Sequence, residues 1–370
     1  MGTLSSCEEG CASHGSQVHC GDNLYKPYSC QWAEQVLKKA NEIMVTMRRA
    51  AGCSQNVMYG IKVPRNVEEA YQFDEENGNT LWADAIKKEM DSMIAMEVFD
   101  FYPSNFKFKK DDGWQYAPLR MIFEVKRDLT RKARLVIGGH VTDASEYDSY
   151  AATIRTENIR LIIYIIVIGL LSVLSVDVAT AYLNSFTRER IYTTCGPEFG
   201  AKAGMIAVVA KSIYGLKTSA NAWYHELGKR LVKIGFKPST IDGAFWWKLR
   251  DDGSGYDYIT SHVDDLLIAA KDPQEIVDFL RGEFKLKGAG LPKDYLGLNL
   301  KVTDDQEGWQ LLTRSYLDQC LESVRNITGQ EKLSKSSTPT KSKWHPELYD
   351  DKKLDALGVH NYRSLVGMAH

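Results

Sequence analysis

Two adjacent carboxylates, Asp264 and Asp265, stand inside Tyr256-Asp257-Tyr258-Ile259-Thr260-Ser261-His262-Val263-Asp264-Asp265-Leu266-Leu267-Ile268-Ala269-Ala270. The runs on either side are rich in apolar and β-branched residues and read as short strands, which puts the Asp pair at or near a hairpin tip. Two anions side by side at a tight turn repel each other. They are tolerated when solvated, as in an ordinary polar turn, or when a cation sits on them. A third carboxylate, Asp177, closes the apolar stretch Ser172 to Thr180. An Asp ending such a strand is costly unless it reaches water or a cation. If adjacent strands bring the three together, the set contains only hard oxygen donors and suits Mg²⁺, which binds through few protein oxygens plus waters and phosphates. Two such ions about 4 Å apart support in-line attack of a hydroxyl on a phosphorus centre.

A second group of candidates lies earlier. Met121 to Arg127 and Lys132 to Val136 alternate on either side of a turn near Asp128 to Thr130, as a hairpin should, and carry Lys126, Arg127, Arg131, Lys132 and Arg134. Cations on a strand pair serve either as a solvated edge that resists aggregation or as a finger that contacts phosphates.

The elements that must hold these residues are legible in outline. Leu81 to Met96 spaces Trp82, Ile86, Met90, Met93 and Ile94 at helical intervals, giving an amphipathic helix. Leu161 to Val176 is a 16-residue run without charge, short of the roughly 20 a bilayer needs, and reads as a buried helix followed by a buried strand. Gln31 to Arg49 has helical character. Ser212 to Ile234 reads as a helix entered through Tyr214-Gly215-Leu216-Lys217-Thr218-Ser219, and further helices fall near Pro273 to Phe284 and Ser315 to Ile327. Tyr295 to Leu300 reads as one strand paired with Trp309 to Thr313. Lys332 to Lys343 has linker composition. Asn361 to His370 stops within an apparent helix, as part of a longer chain would.

Composition excludes several classes. With 370 residues, 44% hydrophobic and 25% charged, the chain is an ordinary globular protein. Its formal net charge of −2 means that any polyanion site must come from local clustering. The seven Cys have no framework spacing. Cys7, Cys11, His14, His19, Cys20 and Cys30 lie close together but offer no clean second ligand pair for zinc. Without a secretory signal, an intracellular location, in a cytoplasmic particle or the nucleus, is expected.

Six stretches, in this order, make the sequence resemble the reverse transcriptase domain of copia-type LTR retrotransposons. They are Trp82-Ala83-Asp84-Ala85-Ile86-Lys87-Lys88-Glu89-Met90-Asp91-Ser92, Lys132-Ala133-Arg134-Leu135-Val136, Asp177-Val178-Ala179-Thr180-Ala181-Tyr182-Leu183-Asn184, Ile213-Tyr214-Gly215-Leu216-Lys217, Val263-Asp264-Asp265-Leu266-Leu267-Ile268 and Tyr362-Arg363-Ser364-Leu365-Val366-Gly367. The resemblance implies an α+β right-hand polymerase fold, with a palm of antiparallel sheet backed by helices. Residues 1–60 would be a poorly ordered segment, 61–300 fingers and palm, and 301–370 a truncated thumb- or connection-like region. It implies RNA-directed DNA synthesis from dNTPs on an RNA or DNA template-primer, without a membrane and with oligomeric state open. Asp177, Asp264 and Asp265 match the catalytic, metal-holding residues for two Mg²⁺ ions, with Mn²⁺ as a substitute. Tyr182 matches the aromatic that excludes a ribose 2′-hydroxyl. Lys132 and Arg134 fall where the fingers meet the triphosphate, either one being the contact, and Thr218 falls where the palm helix approaches the nucleotide.

Three departures stand out. His262 takes a place where Tyr is common, Thr218 one where Gln is common, and Ile137-Gly138-Gly139-His140 replaces Ala-Arg-Gly-Phe, with the loss of a cation. They keep open the alternative of a decayed fragment that only binds nucleic acid.

Overall fold

The computed structural model describes residues 56–369 apart from 110–111, 127, 144–146, 304–307, 331 and 333–353. The expected helix at Gln31 to Arg49, the Cys/His cluster, and all but Lys332 of the linker at Lys332 to Lys343 lie outside the described residues. The chain divides into two compact units, Met1–Val63 and Pro64–His370. In the first, strands β1 (Val57–Met58) and β2 (Ile61–Lys62) form a small antiparallel hairpin.

The second unit opens with two helices whose ends are written in the sequence. The side chain of Asn66 accepts the Glu69 N–H at the start of α1 (Val67–Asn77), and Gly78 closes it in the left-handed conformation. Asp74, buried on α1, accepts the N–H groups of Trp82 and Ala83 and so caps α2 (Leu81–Ala95). Strands β3 (Phe99–Tyr102) and β4 (Gln115–Tyr116) follow. The expected cationic hairpin is β5 (Leu119–Val125) and β6 (Arg131–Ile137), paired from Leu119↔Ile137 to Val125↔Arg131. Met121, Phe123, Ala133 and Leu135 are buried on one of its faces, while Arg120, Ile122, Glu124, Lys132, Arg134 and Val136 alternate onto the other.

The uncharged run forms α3 (Thr156–Ile168) and β7 (Ser172–Val178). Only one side of α3 is buried, through Ile159, Ile162, Ile163 and Ile166. Leu161, Tyr164, Ile168 and Leu170 are exposed, so the helix is half-buried rather than enclosed. Among the described residues no helix is long and apolar enough to cross a membrane. Next come β8 (Ile191–Thr194), β9 (Ile206–Val209) and α4 (Ser219–Lys233). The expected helix from Ser212 starts seven residues later, at Ser219, because Gly215 takes φ +97° and the Ser219 hydroxyl binds the Ile213 carbonyl. The chain continues through β10 (Lys237–Pro238), β11 (Phe245–Leu249), β12 (Tyr256–His262), β13 (Asp265–Ala270), α5 (Pro273–Glu283) and β14 (Leu286–Gly290). β15 (Asp294–Tyr295) and β16 (Leu298–Val302) replace the single strand expected over Tyr295 to Leu300. Leu296 and Gly297, at φ +50° and +80°, turn the chain between them. β17 (Trp309–Leu312), α6 (Arg314–Thr328) and α7 (Ala356–Ala369) complete the unit.

The fold is thus mixed helix and sheet. Its centre is a six-stranded antiparallel sheet in the order β10-β11-β12-β13-β7-β14. Strand parity assigns its two cores. Val176, Val178, Leu266, Ile268 and Ile259 pack with Trp223, Leu227, Val277 and Leu280 of α4 and α5. Val173, Leu267 and Ala269 pack with Ile159, Ile162, Ile163 and Ile166 of α3. The sequence reading placed no strands at β3, β4, β8 or β9, yet these form a second sheet in the order β3-β9-β8-β4. Each is two to four residues long, too short for alternation to announce, and depends on partners distant in sequence.

Candidate active site

The central sheet brings the three carboxylates to one end. In the antiparallel ladder Asp265 stands opposite Asp177 and His262 opposite Asp265, so Val263 and Asp264 are the two-residue tip of the hairpin. Opposed residues project from the same face. Asp177 and Asp265 therefore leave the sheet on the side that α3 covers further along. Val263 takes φ +57°, a position where Gly is usual and a β-branched residue is strained. Its surroundings hold it there. The Trp223 indole N–H donates to the Val263 carbonyl at 2.6 Å, and the Val178 N–H donates to the Asp264 carbonyl at 2.8 Å.

The register extends further. Lys287 on β14 is the cross-strand partner of Asp177, giving the row His262, Asp265, Asp177, Lys287 across four neighbouring strands. Burial pushes the Asp177 carboxyl up and Asp264 adds to it, while Lys287, Lys132 and Lys126 pull it down. Burial likewise raises Asp265, with repulsion from Asp264 and Asp177 behind it and His262 opposing. The three carboxylates thus feel one another, and the flanking cations offset their repulsion only in part.

Tyr182 lies in the 3₁₀ turn Ala181–Asn184 directly after β7. The Asn184 side chain ties this turn by donating to the Thr180 and Ala181 carbonyls at 3.1 and 3.2 Å. The rings of Tyr214 and Tyr182 meet edge to face, with centroids 5.0 Å apart and planes at 64°. The Arg134 guanidinium sits over Tyr214, 5.7 Å from its centroid, and pairs with Glu124 at 3.2 Å. Lys132, on the same face of the hairpin, makes no ion pair among the described residues; burial lowers its pKa, with repulsion from Arg134 and Lys126 adding. Burial pushes the Tyr214 phenol up to about 12, with Asp264 contributing, and the same two causes raise Tyr182. Cationic hairpin, aromatic pair and carboxylates therefore form one neighbourhood.

The family model for reverse transcriptase (RNA-dependent DNA polymerase) matches residues 108–340, an interval that contains all of these groups. The chain belongs to this family. Among curated proteins it is similar to the retrovirus-related Pol polyprotein from transposon RE1 of Arabidopsis thaliana, 28% identical over 77% of this chain and 19% of that protein. The corresponding polyprotein from transposon TNT 1-94 of Nicotiana tabacum is 24% identical over 83% and 24%. The Ty1-MR1 Gag-Pol polyprotein of Saccharomyces cerevisiae is 25% identical over 78% and 17%. The chain thus spans about a fifth of the length of these copia-type relatives. Among solved structures, a foamy viral protease-reverse transcriptase in complex with double-stranded DNA aligns over 64% of this chain and 36% of its own, at 14% identity and TM-score 0.35.

For this reverse transcriptase family member the donor chemistry can be tested against a divalent ion. Among the described residues no set of three or more His, Cys, Asp or Glu side chains forms a ready cage. Mg²⁺ seldom uses one, since it keeps waters and shares its shell with substrate phosphates. What it needs is hard oxygen under unrelieved negative charge, and the raised carboxyls of Asp177 and Asp265 beside Asp264 supply that.

Thr218, expected near the nucleotide, has its polar groups engaged within the fold. Thr218 is buried, and its N–H and hydroxyl both donate to Glu189 Oε1, at 3.1 and 2.6 Å. That hydroxyl is committed to Glu189 rather than presented to the carboxylates. Tyr214, Glu189 and Lys287 are not singled out by sequence, and Trp223 stands out there only as part of the apolar face of its helix. Tyr214 lies within a quoted motif, so its signal is present. Glu189 and Lys287 acquire meaning only through tertiary register.

Proposed function

We propose that this chain is an RNA-directed DNA polymerase domain that transfers deoxynucleotides from dNTPs to the 3′-hydroxyl of a primer on an RNA or DNA template. In this reading the β5–β6 hairpin belongs to the fingers of a right-hand polymerase, and the six-stranded sheet with α4 and α5 is the palm. One observation carries the reading: strands far apart in sequence set Asp177 opposite Asp265, with Asp264 at the adjoining turn. Asp177, Asp264 and Asp265 would hold two Mg²⁺ ions, or Mn²⁺ in their place. Those ions, when bound, polarise the attacking hydroxyl and carry charge on the leaving pyrophosphate.

The chain's own groups do the rest. Lys132, free of any ion pair among the described residues, and Arg134, paired only with the half-exposed Glu124, face the place where triphosphate charge would lie and neutralise it. Tyr182 presents a ring where the sugar must pass and leaves no room for a 2′-hydroxyl. Thr218 acts at a distance, by holding Glu189 and the loop before α4. Primer extension on an RNA template tests the reading. The full chain is expected to incorporate dNTPs, and Asp264→Asn to lose about a thousandfold or more, the several kcal/mol an ion-holding carboxylate supports. A folded chain that binds primer–template but shows no synthesis sensitive to Asp264→Asn would reject the activity. It would favour the second reading, a binder without catalysis, to which the committed Thr218 hydroxyl and the buried His262 Nδ1, with no hydrogen-bond partner among the described residues, lend support.

A further inference from the structure

The aromatic pair invites a question that the family motifs do not answer: what fixes the ring of Tyr182? Its hydroxyl makes no hydrogen bond among the described residues, so packing alone sets its orientation. From one side that packing is the half-buried edge of the six-stranded core. The ring partner is Tyr214, at 5.0 Å and 64°. Tyr214 is itself held with unusual firmness for a loop residue. Its carbonyl accepts the Ile137 N–H at 2.9 Å. The next residue, Gly215, lies so close to β6 that a Cβ there would stand 2.0 Å from the Ile137 carbonyl oxygen, and a Cβ on Gly139 would stand 2.2 Å from the Gly215 oxygen. The Lys217 ammonium then clamps the facing turn by donating to the Thr142 and Asp143 carbonyls at 2.7 and 2.9 Å. The Arg134 guanidinium covers the face of the Tyr214 ring.

We infer that Tyr214 is a positioning residue for sugar selection, its ring, packed edge to face with Tyr182, locking Tyr182 in the orientation that excludes a 2′-hydroxyl and tying that orientation to the cationic β5–β6 hairpin. The inference rests on the polymerase reading above. An edge-to-face contact restricts rotation of both rings. Removing it frees Tyr182 to turn aside, and a ribonucleotide then fits. Because Tyr214 acts on Tyr182 rather than on the reacting atoms, its loss changes which sugar is accepted more than how fast the accepted one reacts.

The test is primer extension by the full chain on an RNA template, with kcat and KM measured separately for dTTP and UTP. Tyr214→Leu is expected to raise kcat/KM for UTP relative to dTTP by about tenfold or more, the scale of a lost steric discrimination, chiefly through a lower KM for UTP. Tyr214→Phe keeps the ring and is expected to stay within about twofold of wild type. If Tyr214→Leu fails to fold by circular dichroism, Tyr214→Met, flexible enough to fill the gap, is expected to show the same relaxation. A purely structural role would lower kcat/KM for both nucleotides alike, and that result overturns the inference. So does relaxed selection in Tyr182→Val with selection intact in Tyr214→Leu, which would leave the polymerase reading standing. Absence of dTTP incorporation by the wild-type chain would instead bring down the polymerase reading, and this inference with it.

Discussion

The contact between β6 and the loop ahead of α4 can be weighed with three glycine substitutions. Gly113 has φ +74° and nothing within 4 Å of a built Cβ, so Gly113→Ala meets only the cost of the left-handed conformation, about 1 kcal/mol. Gly215 has φ +97° and the added burden of a Cβ 2.0 Å from the Ile137 oxygen and 2.8 Å from Val136 Cγ1. Relieving that overlap needs a backbone shift of more than about 1 Å, given ordinary carbon contacts of roughly 3.5 Å. Such a shift breaks the Ile137–Tyr214 hydrogen bond, worth about 1 kcal/mol, and overpacks the joint by about 1 kcal/mol or more. Gly215→Ala should therefore cost about 3 kcal/mol in all. Gly139→Ala, with an ordinary φ but a Cβ 2.2 Å from the Gly215 oxygen, should cost about 2 kcal/mol. Urea unfolding of the full chain, compared at constant m, reads these differences. If Gly215→Ala and Gly113→Ala agree within about 0.5 kcal/mol, the close approach contributes nothing and the joint described here does not exist.

Two further outcomes follow from titratable groups away from the carboxylates. Burial raises the Glu89 carboxyl, with its hydrogen bond from the Leu135 N–H and attraction from Lys132 and Arg134 opposing. A raised acid binds its proton more tightly in the folded state, so this group's contribution to stability falls as pH climbs from the ordinary carboxylate range through the raised value. Glu89→Gln keeps an acceptor for Leu135, and is expected to gain stability at pH 8 relative to pH 5 when both are measured by urea unfolding. Cys195 is buried, and its thiol is pushed up to about 11, by burial first and then by Glu198. The partly exposed Cys320 should therefore be alkylated well before Cys195 at pH 8 in the folded chain, as peptide mass mapping would show. Equal rates would mean that the β8 end opens far more readily than its packing implies.

Much of the site was legible because its signals are local. Runs of apolar and β-branched residues on either side of Asp264 and Asp265 point to a hairpin, and the uncharged run before Asp177 points to a helix and a strand. What sequence could not supply was register. Asp177 and Asp265 are 88 residues apart (265 − 177), and nothing local fixes them as direct partners rather than neighbours offset by two. The same limit hid Lys287, whose role depends on which residue of β14 faces Asp177. Thr218 shows a partner that a motif does not print. Its place in a motif pointed to the nucleotide, but Glu189, twenty-nine residues earlier, takes its hydroxyl. Helix α3 reads as buried because its residues from Leu161 onward are uncharged and mostly apolar. Composition reports how oily a helix is, not how many of its sides find a partner.

The backbone of Val263 carries one more implication. A β-branched residue does not choose φ +57°, so the tip of the hairpin is imposed from outside, through the Trp223 indole on one side and the Val178 amide on the other. The turn therefore depends on contacts distant in sequence rather than on its own residues. A chain in which α4 or β7 has not yet docked lets Val263 relax to extended backbone, and Asp264 swings away from Asp177. An unfinished or locally unravelled molecule therefore presents scattered carboxylates, with little pull on divalent ions. The concentrated negative charge is thus a property of the docked sheet and not of the hairpin alone.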